Sequence, residues 1–549
     1  MMSKINLGLL IDSFQVPYWI YLMIKKIQEL DNVEITFIGI NNTIPKKISF
    51  SNKIKNNKNY FLYKAYTKVE NSIYTPEIDA FKMVDLKKIC QNIDTRFIEP
   101  IQTKFSDKIK NDDIEYIKKK NLDVLVRLGF RILRGEILSC SKTGIWSLHH
   151  GDNTVYRGGP PGFWEVFEGQ EVTGTTLQIL TENLDDGKII TKSFSGTDPL
   201  IVKRNCNNYY LKSLSLIPRK LQELNELGID EFLNRIKNDD LEFYYNRLYT
   251  KPMNAEFLKL GTYNISKWLK RKIQSSYSFE QWCLLFDIKN DISKSIWRYK
   301  KIIPPKDRFW ADPHILTRGD NFYIFVEEFI YKNSKAHIAV IKIDKQGNYQ
   351  YLGKVLEKNY HLSYPFVFEY ENEYYMIPET EGNKNIEIYH CVNFPNKWEF
   401  FGKLMEDVSA VDTTIFKHNN KWWMFTGIKE NEGASNSDEL FLFYSDNPLK
   451  NNWKSHKKNP IISDIRIARP AGKIFTYNNR IYRPSQISSK YYGYGISINE
   501  IVKLNIDEYE ESQITTILPK WNKKISRTHT FCYDDGLSII DAKIKRRKV

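Results

Sequence analysis

The stretch Ser147-Leu148-His149-His150-Gly151-Asp152 runs on through Tyr156-Arg157-Gly158-Gly159-Pro160-Pro161-Gly162 to Leu184-Asp185-Asp186-Gly187. Read in order, it predicts a strand, a glycine-rich loop, a helix, a second strand over Gly174 to Leu180, and a loop. His149 stands where the first strand ends, and Asp185 follows the second. A His and an Asp at the ends of neighbouring strands can share a pocket, the carboxylate fixing the imidazole's tautomer and stabilising its charged form. Gly158, Gly159 and Gly162, with two prolines, make a stiff loop that lets backbone approach a ligand. Loops at strand ends are where open α/β sheets bind ligands.

Outward from that stretch, Ile5 to Ile11 reads as an apolar strand, Val16 to Leu30 as a helix (Ile20, Met23, Ile24, Ile27) and Val33 to Ile40 as a second strand. This is a βαβ start and predicts a parallel sheet. Residues 42–75, rich in Lys, Asn and Tyr, read as a surface excursion. Helices are expected over 78–93 and 109–120, then a buried strand at Leu122–Val126. Arg127-Leu128-Gly129-Phe130 is expected to open a further helix ending at Leu138. Residues 205–235 have helical spacing, and 236–275 read as a connector with one more amphipathic helix.

These motifs resemble the 10-formyltetrahydrofolate-dependent formyltransferase family over roughly residues 5–205. The family pattern is an Asn-x-His segment, a Tyr/Trp-Arg-Gly loop and a Leu-Asp-x-Gly turn. This chain has Leu148-His149, Tyr156-Arg157-Gly158 and Leu184-Asp185-Asp186-Gly187 in that order. The resemblance implies His149 as general base, Asp185 orienting it, and Tyr156, Arg157 and Gly158 on the acceptor side. It implies pterin contacts from Leu128, Gly129, Phe130, Thr181, Glu182 and Leu184, for Gly129 beside the plainer reading of a helix-entry glycine. The family's catalytic Asn falls at Ser147. A Ser can donate to an oxyanion, but with shorter reach, and losing such a donor costs roughly 3 kcal/mol.

Past residue 280 the texture changes to short aromatic strands between polar turns. Asp320-Asn321, Asn372-Glu373, Asn420-Lys421, Asn479-Arg480 and Asp535-Gly536 occupy equivalent turns, at intervals of roughly 50 residues. Five such units predict a five-bladed β-propeller. Asp312, Tyr364, Asp412, Ala471 and Arg527 fall at matching positions on the innermost strands. With Glu379, Arg469, His529, His314, Glu327, Glu328, Glu381, Arg483 and Asp541 nearby, they outline a polar site at the channel. Phe309-Trp310-Ala311-Asp312-Pro313-His314 resembles the first blade of five-bladed glycoside hydrolases and of glucosamine inositolphosphorylceramide transferases.

The chain has 549 residues, 42% of them hydrophobic and 14% aromatic, and carries a net charge of +15. It is too long for one core. The domains expected are 1–205, formyltransferase-like; 206–278, a helical connector; and 279–549, the propeller. The positive charge favours anionic partners, although scattered lysines also fit an AT-rich coding bias. Six cysteines without a CxxC pair argue against a zinc site or disulfide framework, and no metal is expected. No apolar run reaches the roughly 18 residues a membrane span needs, and the N-terminus turns polar too soon for a signal peptide. A cytosolic address is expected, which suits folate.

The reading that follows is an N-formyltransferase moving a formyl group from 10-formyltetrahydrofolate to the amine of a nucleotide-linked or glycan-borne amino sugar, with a sugar-recognising propeller. Homodimerisation is expected by analogy with related sugar enzymes. One alternative is a propeller-centred glycosidase or glycosyl-transfer enzyme, or a glycan-binding protein, with a degenerate formyltransferase domain. Another is a methionyl-tRNA formyltransferase, disfavoured by the lack of short OB-type strands before residue 280.

Overall fold

The structure, a computed structural model, describes residues 4–43, 58–183, 187–236, 244–289 and 291–547. It divides into two compact units, one of residues 1–266 with 431–434, the other of 267–430 with 435–549.

The first unit is built on a seven-stranded sheet. Its strands are β1 (Ile5–Ile11), β2 (Val33–Asn41), β3 (Asp94–Ile98), β4 (Val124–Arg127), β5 (Ile145–His149), β6 (Val172–Ile179) and β7 (Lys188–Gly196), in the order β7-β6-β5-β4-β1-β2-β3. The five strands from β5 to β3 are parallel, as the βαβ start predicted; β6 and β7 add an antiparallel hairpin. The order reverses between β1 and β4. The strand ends there, Asp12 and Leu128 to Phe130, flank the switch-point crevice where sheets of this kind hold ligands.

Alternation along the strands sorts the core into two layers. Leu7, Leu9, Ile11, Ile38 and Val126 face one side, packed with α1 (Tyr18–Gln28); Leu10, Phe37 and Leu125 face the other, packed with Ile114 and Ile117 of the helix Asn111–Lys118. The helices Val202–Ser213, Leu216–Leu227 and Ile229–Arg235 put Leu211, Ile217, Leu221, Leu224 and Phe232 into the first layer. Residues 206–236, expected as connector, are therefore part of this unit's core. Their apolar stripe is buried because it closes one face of the sheet.

Two expected helices are absent. In 78–93 a short strand, Met83–Asp85, pairs with Gln15–Pro17. Asp79 and Asp85 accept the N–H groups of Phe81 and Lys87, local bonds that compete with helical ones. After Arg127, Phe130 has φ 61° and Gly135 φ 85°, and only the strand Ile132–Arg134 and one 3₁₀ turn, Glu136–Ser139, follow. The Asp12 and Asp107 carboxylates take the N–H groups of Phe130 and Arg131, which pins the turn. Within 42–75 a helix, Phe61–Ile73, forms with no fully buried residue; the N–H of Leu62 is held by the Asn254 side chain. Residues 44–57 lie outside the described residues.

The second unit is all β. Four antiparallel sheets of four consecutive strands span residues 308–356, 363–405, 410–455 and 475–517. A fifth sheet pairs Ser278–Ile288 along its whole length with Leu537–Arg547, so the first and last strands of the unit are neighbours. The predicted turns are hairpins. Both central residues have positive φ at Glu371-Asn372, Asn419-Asn420, Asn478-Asn479 and Asp535-Gly536, the backbone that suits a two-residue hairpin. All six cysteines are free. No helix of the described residues is long and apolar enough to cross a membrane.

Candidate functional site

His149 closes β5, opposite Thr176 of β6. Its Nε2 lies 2.7 Å from the carbonyl oxygen of Tyr156. A carbonyl only accepts, so Nε2 carries the proton, and in the neutral ring the lone pair lies at Nδ1. Tyr156 thus acts through its backbone; its hydroxyl donates to Glu168, 2.8 Å away. β6 is antiparallel to β5, so the chain leaves β6 at the end where β5 begins, with Leu180 N donating to Ile145 O. The two strands are neighbours as expected, but they leave the pair at opposite ends. Asp185 and Leu184 lie outside the described residues.

Ser147 is 2% exposed, and its Oγ accepts from Arg127 Nη1 at 2.8 Å. The two residues are register partners across β4 and β5. Arg127 also donates to the carbonyls of Phe130 and Arg131, so one guanidinium ties the strand that ends at His149 to the turn at the switch point.

In that turn, Leu128 N and Gly129 N both donate to Leu10 O, and Phe130 N to Asp12 Oδ1 at 2.7 Å. With these donors engaged, the turn's carbonyl oxygens are its remaining polar groups, that of Phe130 already accepting from Arg127. Gly129 owes its identity to packing: a Cβ there would sit 2.4 Å from Asp12 N. Glu182 accepts from Gly135 N at 2.8 Å, linking the loop after β6 to the same region.

The glycine loop rests on an aromatic cluster of Tyr156, Phe163, Trp164, Phe167 and Tyr249. Gly158 has φ 97°, and a Cβ would meet Tyr249 O at 2.2 Å. Arg157 donates from Nε to Asn153 O and lies over the Tyr244 ring, 4.5 Å from its centroid. Between loop and cluster lies a cavity of about 10 Å³, room for one water, lined in part by His150, Arg157, Trp164, Glu165 and Tyr249. Glu165 is 2% exposed. Burial lifts its carboxyl to about 7, against the pull of its own N–H and of His149. Burial, with His149 and Arg127 close by, drops His150 to about 3, so that ring is neutral.

The second unit brings together the polar residues expected there. Arg469 pairs with Asp412 through Nε and with Glu379 through Nη2, at 3.3 Å. Burial, then Asp412, raises the Glu379 carboxyl well above its usual range. His529 lies between Asp541, in ion-pair contact through Nδ1, and Asp312, 3.6 Å from Nε2. Burial opposes the charged form of His529, but Asp541 and Asp312 overcome it and carry the ring up to about 9. Asp312 is pushed up to about 7 by burial, His529 pulling the other way. Asp312, Tyr364 and Asp412 share one backbone feature, φ of 51°, 44° and 50° at a break in strand register. Non-glycine residues held at positive φ concentrate at functional sites. Arg527 does not join them; it donates to Tyr492 O.

His314, Glu327, Glu328, Glu381 and Arg483 have other partners: the Asp312 backbone, His361, Trp310 with His337, Ser409, and Glu511. Asp312, His529 and Asp541 could hold a cation by spacing. Asp541, however, already accepts the N–H groups of Asp312, His529 and Thr530, so its oxygens are committed to protein donors.

Arg127, His150, Glu165 and Gln486 were missed from sequence. The signal for two of them was a charge inside an apolar run, Val-Leu-Val-Arg127 and Phe-Trp-Glu165-Val-Phe. Gln486 donates to Asp412 from the next hairpin, a contact no spacing announces.

Two family models match. Residues 79–198 match the model described as formyl transferase, and 300–531 that of glucosamine inositolphosphorylceramide transferase 1, N-terminal. Glucosamine inositolphosphorylceramide transferase 1 of Oryza sativa subsp. japonica is 35% identical over 206 residues, 37% of this chain and 27% of that protein. Methionyl-tRNA formyltransferase of Clostridioides difficile (strain 630) is 28% identical over 188 residues, 34% of this chain and 58% of that protein. Bifunctional polymyxin resistance protein ArnA of Wigglesworthia glossinidia brevipalpis is 28% identical over 215 residues, 37% and 31% of the two chains. The chain spans about a quarter of the length of the first of these relatives, 27%. The chain joins two modules, an α/β group-transfer domain and a β-rich domain. The first is a formyl transferase domain, and the second is of the kind that forms the N-terminal part of glucosamine inositolphosphorylceramide transferase 1.

Proposed function

We propose that the protein transfers a formyl group from 10-formyltetrahydrofolate to the amine of an amino sugar, nucleotide-linked or glycan-borne, and that its second unit is a five-bladed propeller that recognises sugar. The observation that carries this reading is His149 at the end of β5, its tautomer set by Tyr156 O, inside the segment matching the formyl transferase model.

In this reading the amine attacks the formyl carbon while His149 removes its proton through Nδ1, and the bond from carbon to folate nitrogen breaks. In the family pattern Asp185 stabilises the charged imidazole; here it lies outside the described residues. Ser147, buried as it is, anchors Arg127, whose guanidinium would supply the hydrogen-bond donor that the family draws from its Asn. The carbonyls of the 128–130 turn, with Thr181, Glu182 and Leu184, would hold the pterin. Tyr156, Arg157 and Gly158 border the acceptor side. The propeller reading is supported by five successive antiparallel sheets whose last joins both ends of the unit. The domain limits proposed are a transfer domain through about residue 266 and a propeller after it.

The test is a transfer assay followed by mass spectrometry, with 10-formyltetrahydrofolate and a panel of amino sugars. Formylated product is expected from the native chain and none from His149→Ala. Full activity in that variant would sink the assignment.

A second reading has its own support. Asp312 and Glu379 are held toward the protonated form, and a raised carboxyl is what a glycosidic general acid requires. Glycan turnover abolished by Asp312→Asn, in protein with no folate affinity, would favour it.

A further inference from the structure

We propose that the helix Phe61–Ile73 docks the first unit on an anionic membrane surface, as a peripheral contact made by its outward side. The inference goes beyond the formyl-transfer reading and does not depend on it.

Residues four apart stack along one side of a helix, so the sequence of this one divides into four rows. Two rows turn inward. Tyr63 lies edge-on to Phe163, 5.3 Å between ring centroids, and Tyr66 edge-on to Phe167 at 5.4 Å. The Tyr66 hydroxyl donates to Glu70, the only acid in the helix, 2.7 Å away. Asn254 fastens the first turn, its Oδ1 accepting from Leu62 N and its Nδ2 donating to Lys58 O. An aromatic seam and one amide thus hold the helix to its unit.

The other two rows face outward. Phe61, Ala65, Val69 and Ile73 form one of them, with Phe61 65%, Val69 55% and Ile73 76% exposed. Lys64 and Lys68 form the next, both exposed, and Lys58 is exposed just ahead of the helix. Neither row contains an acid. Met253, next to the Asn254 joint, adds another exposed apolar side chain. Single exposed apolar residues are ordinary, but a row of them along one side of a helix marks an interaction surface.

An apolar row edged with lysines is the pattern of a helix lying in the plane of a bilayer interface. The apolar row would enter the boundary between headgroups and acyl chains. The lysines would lay their stems along it and carry their ammonium groups to the lipid phosphates. The net charge of +15 draws the whole chain toward such a surface. Nucleic acid would engage the lysines but leave Val69 and Ile73, which are aliphatic, with nothing to cover them. A second copy packed face to face would set lysines against lysines. An anionic bilayer suits both rows at once.

The experiment is flotation of the full chain with vesicles of phosphatidylcholine, pure or with about one quarter phosphatidylglycerol. The chain is expected to float with the anionic vesicles only. Binding should fall at least about tenfold as salt rises from about 0.15 M to about 1 M, where the Debye length shrinks from about 8 to about 3 Å. The double variants Phe61→Ser with Ile73→Ser, and Lys64→Glu with Lys68→Glu, should each weaken it at least about tenfold. All four positions are exposed, so both variants should keep the native thermal melt. If either fails to fold, the native chain's choice between the two vesicles still decides. Equal binding to both vesicles, or to neither, would overturn the proposal. So would undiminished flotation of the Phe61→Ser, Ile73→Ser variant, which would reduce the contact to charge alone. Binding of duplex RNA without flotation would reassign the face to nucleic acid. Self-association lost in Ile73→Ser, again without flotation, would reassign it to a second copy.

Discussion

At the residue scale the departure at Ser147 is answered by a neighbour. The family's Asn is replaced by a hydroxyl that is 2% exposed and already accepts from Arg127. If the guanidinium carries the oxyanion's charge, Arg127→Ala should lower kcat by about 10²–10³-fold, the loss typical of an oxyanion donor. Ser147→Ala, which removes only the anchor, should cost less than about tenfold; single-turnover rates with saturating folate would separate the two. Gly129 makes a different prediction. Its Cβ would lie 2.4 Å from Asp12 N and 2.6 Å from Ile11 C, backbone that cannot swing aside. Gly129→Ala should destabilise the first unit by about 1–3 kcal/mol, the usual cost of overpacking, read from its urea midpoint.

At the scale of elements, the first hairpins of three successive sheets hold Asp312, Tyr364 and Asp412 by a shared device, a register break with the bulged residue at positive φ. Asp412 is the one whose loss should hurt most. It faces Arg469, a buried guanidinium whose remaining acidic partner would be Glu379. Asp412→Ala should cost about 3–5 kcal/mol, the price of stranding a buried charge. Glu379→Gln should cost far less, because burial and Asp412 already favour the uncharged carboxyl. Guanidinium chloride melts of the two variants would expose the asymmetry; equal losses would mean that Glu379 is ionised in the folded protein.

For the whole molecule, the titrating groups of the second unit give stability a direction with pH. His529, with Asp541 and Asp312 against it, is raised to about 9, so its contribution is complete below 6.5 and is lost as pH climbs through 9. Asp312 is raised to about 7, so the folded state also holds a proton there that the unfolded chain has released above 3.8. Both make stability fall with rising pH, Asp312 between about 4 and 7 and His529 between about 6.5 and 9. His314, held down to about 4 by burial, works the other way below 6.5, so thermal melts above about pH 6.5 should show the decline, and His529→Gln should flatten it.

Much of this was legible in the chain itself. Alternation in Leu7-Gly8-Leu9-Leu10 and Val124-Leu125-Val126 fixes a sheet buried on both faces, because side chains one residue apart point to opposite sides. The polar turns mark the hairpins because Asn, Asp and Gly tolerate positive φ, and their recurrence follows the succession of sheets. The His149 and Tyr156-Arg157-Gly158 motifs could be read because they are local. What tertiary structure decided lies at long range. Whether 127–138 turned or coiled into a helix depended on Asp12 and Asp107, carboxylates from distant segments that claim its N–H groups. The helices of 202–236 joined the core because the sheet had an open face to cover. Arg127 beside Ser147, and Glu165 and His150 at one cavity, follow from strand register and loop packing, which no sequence spacing encodes.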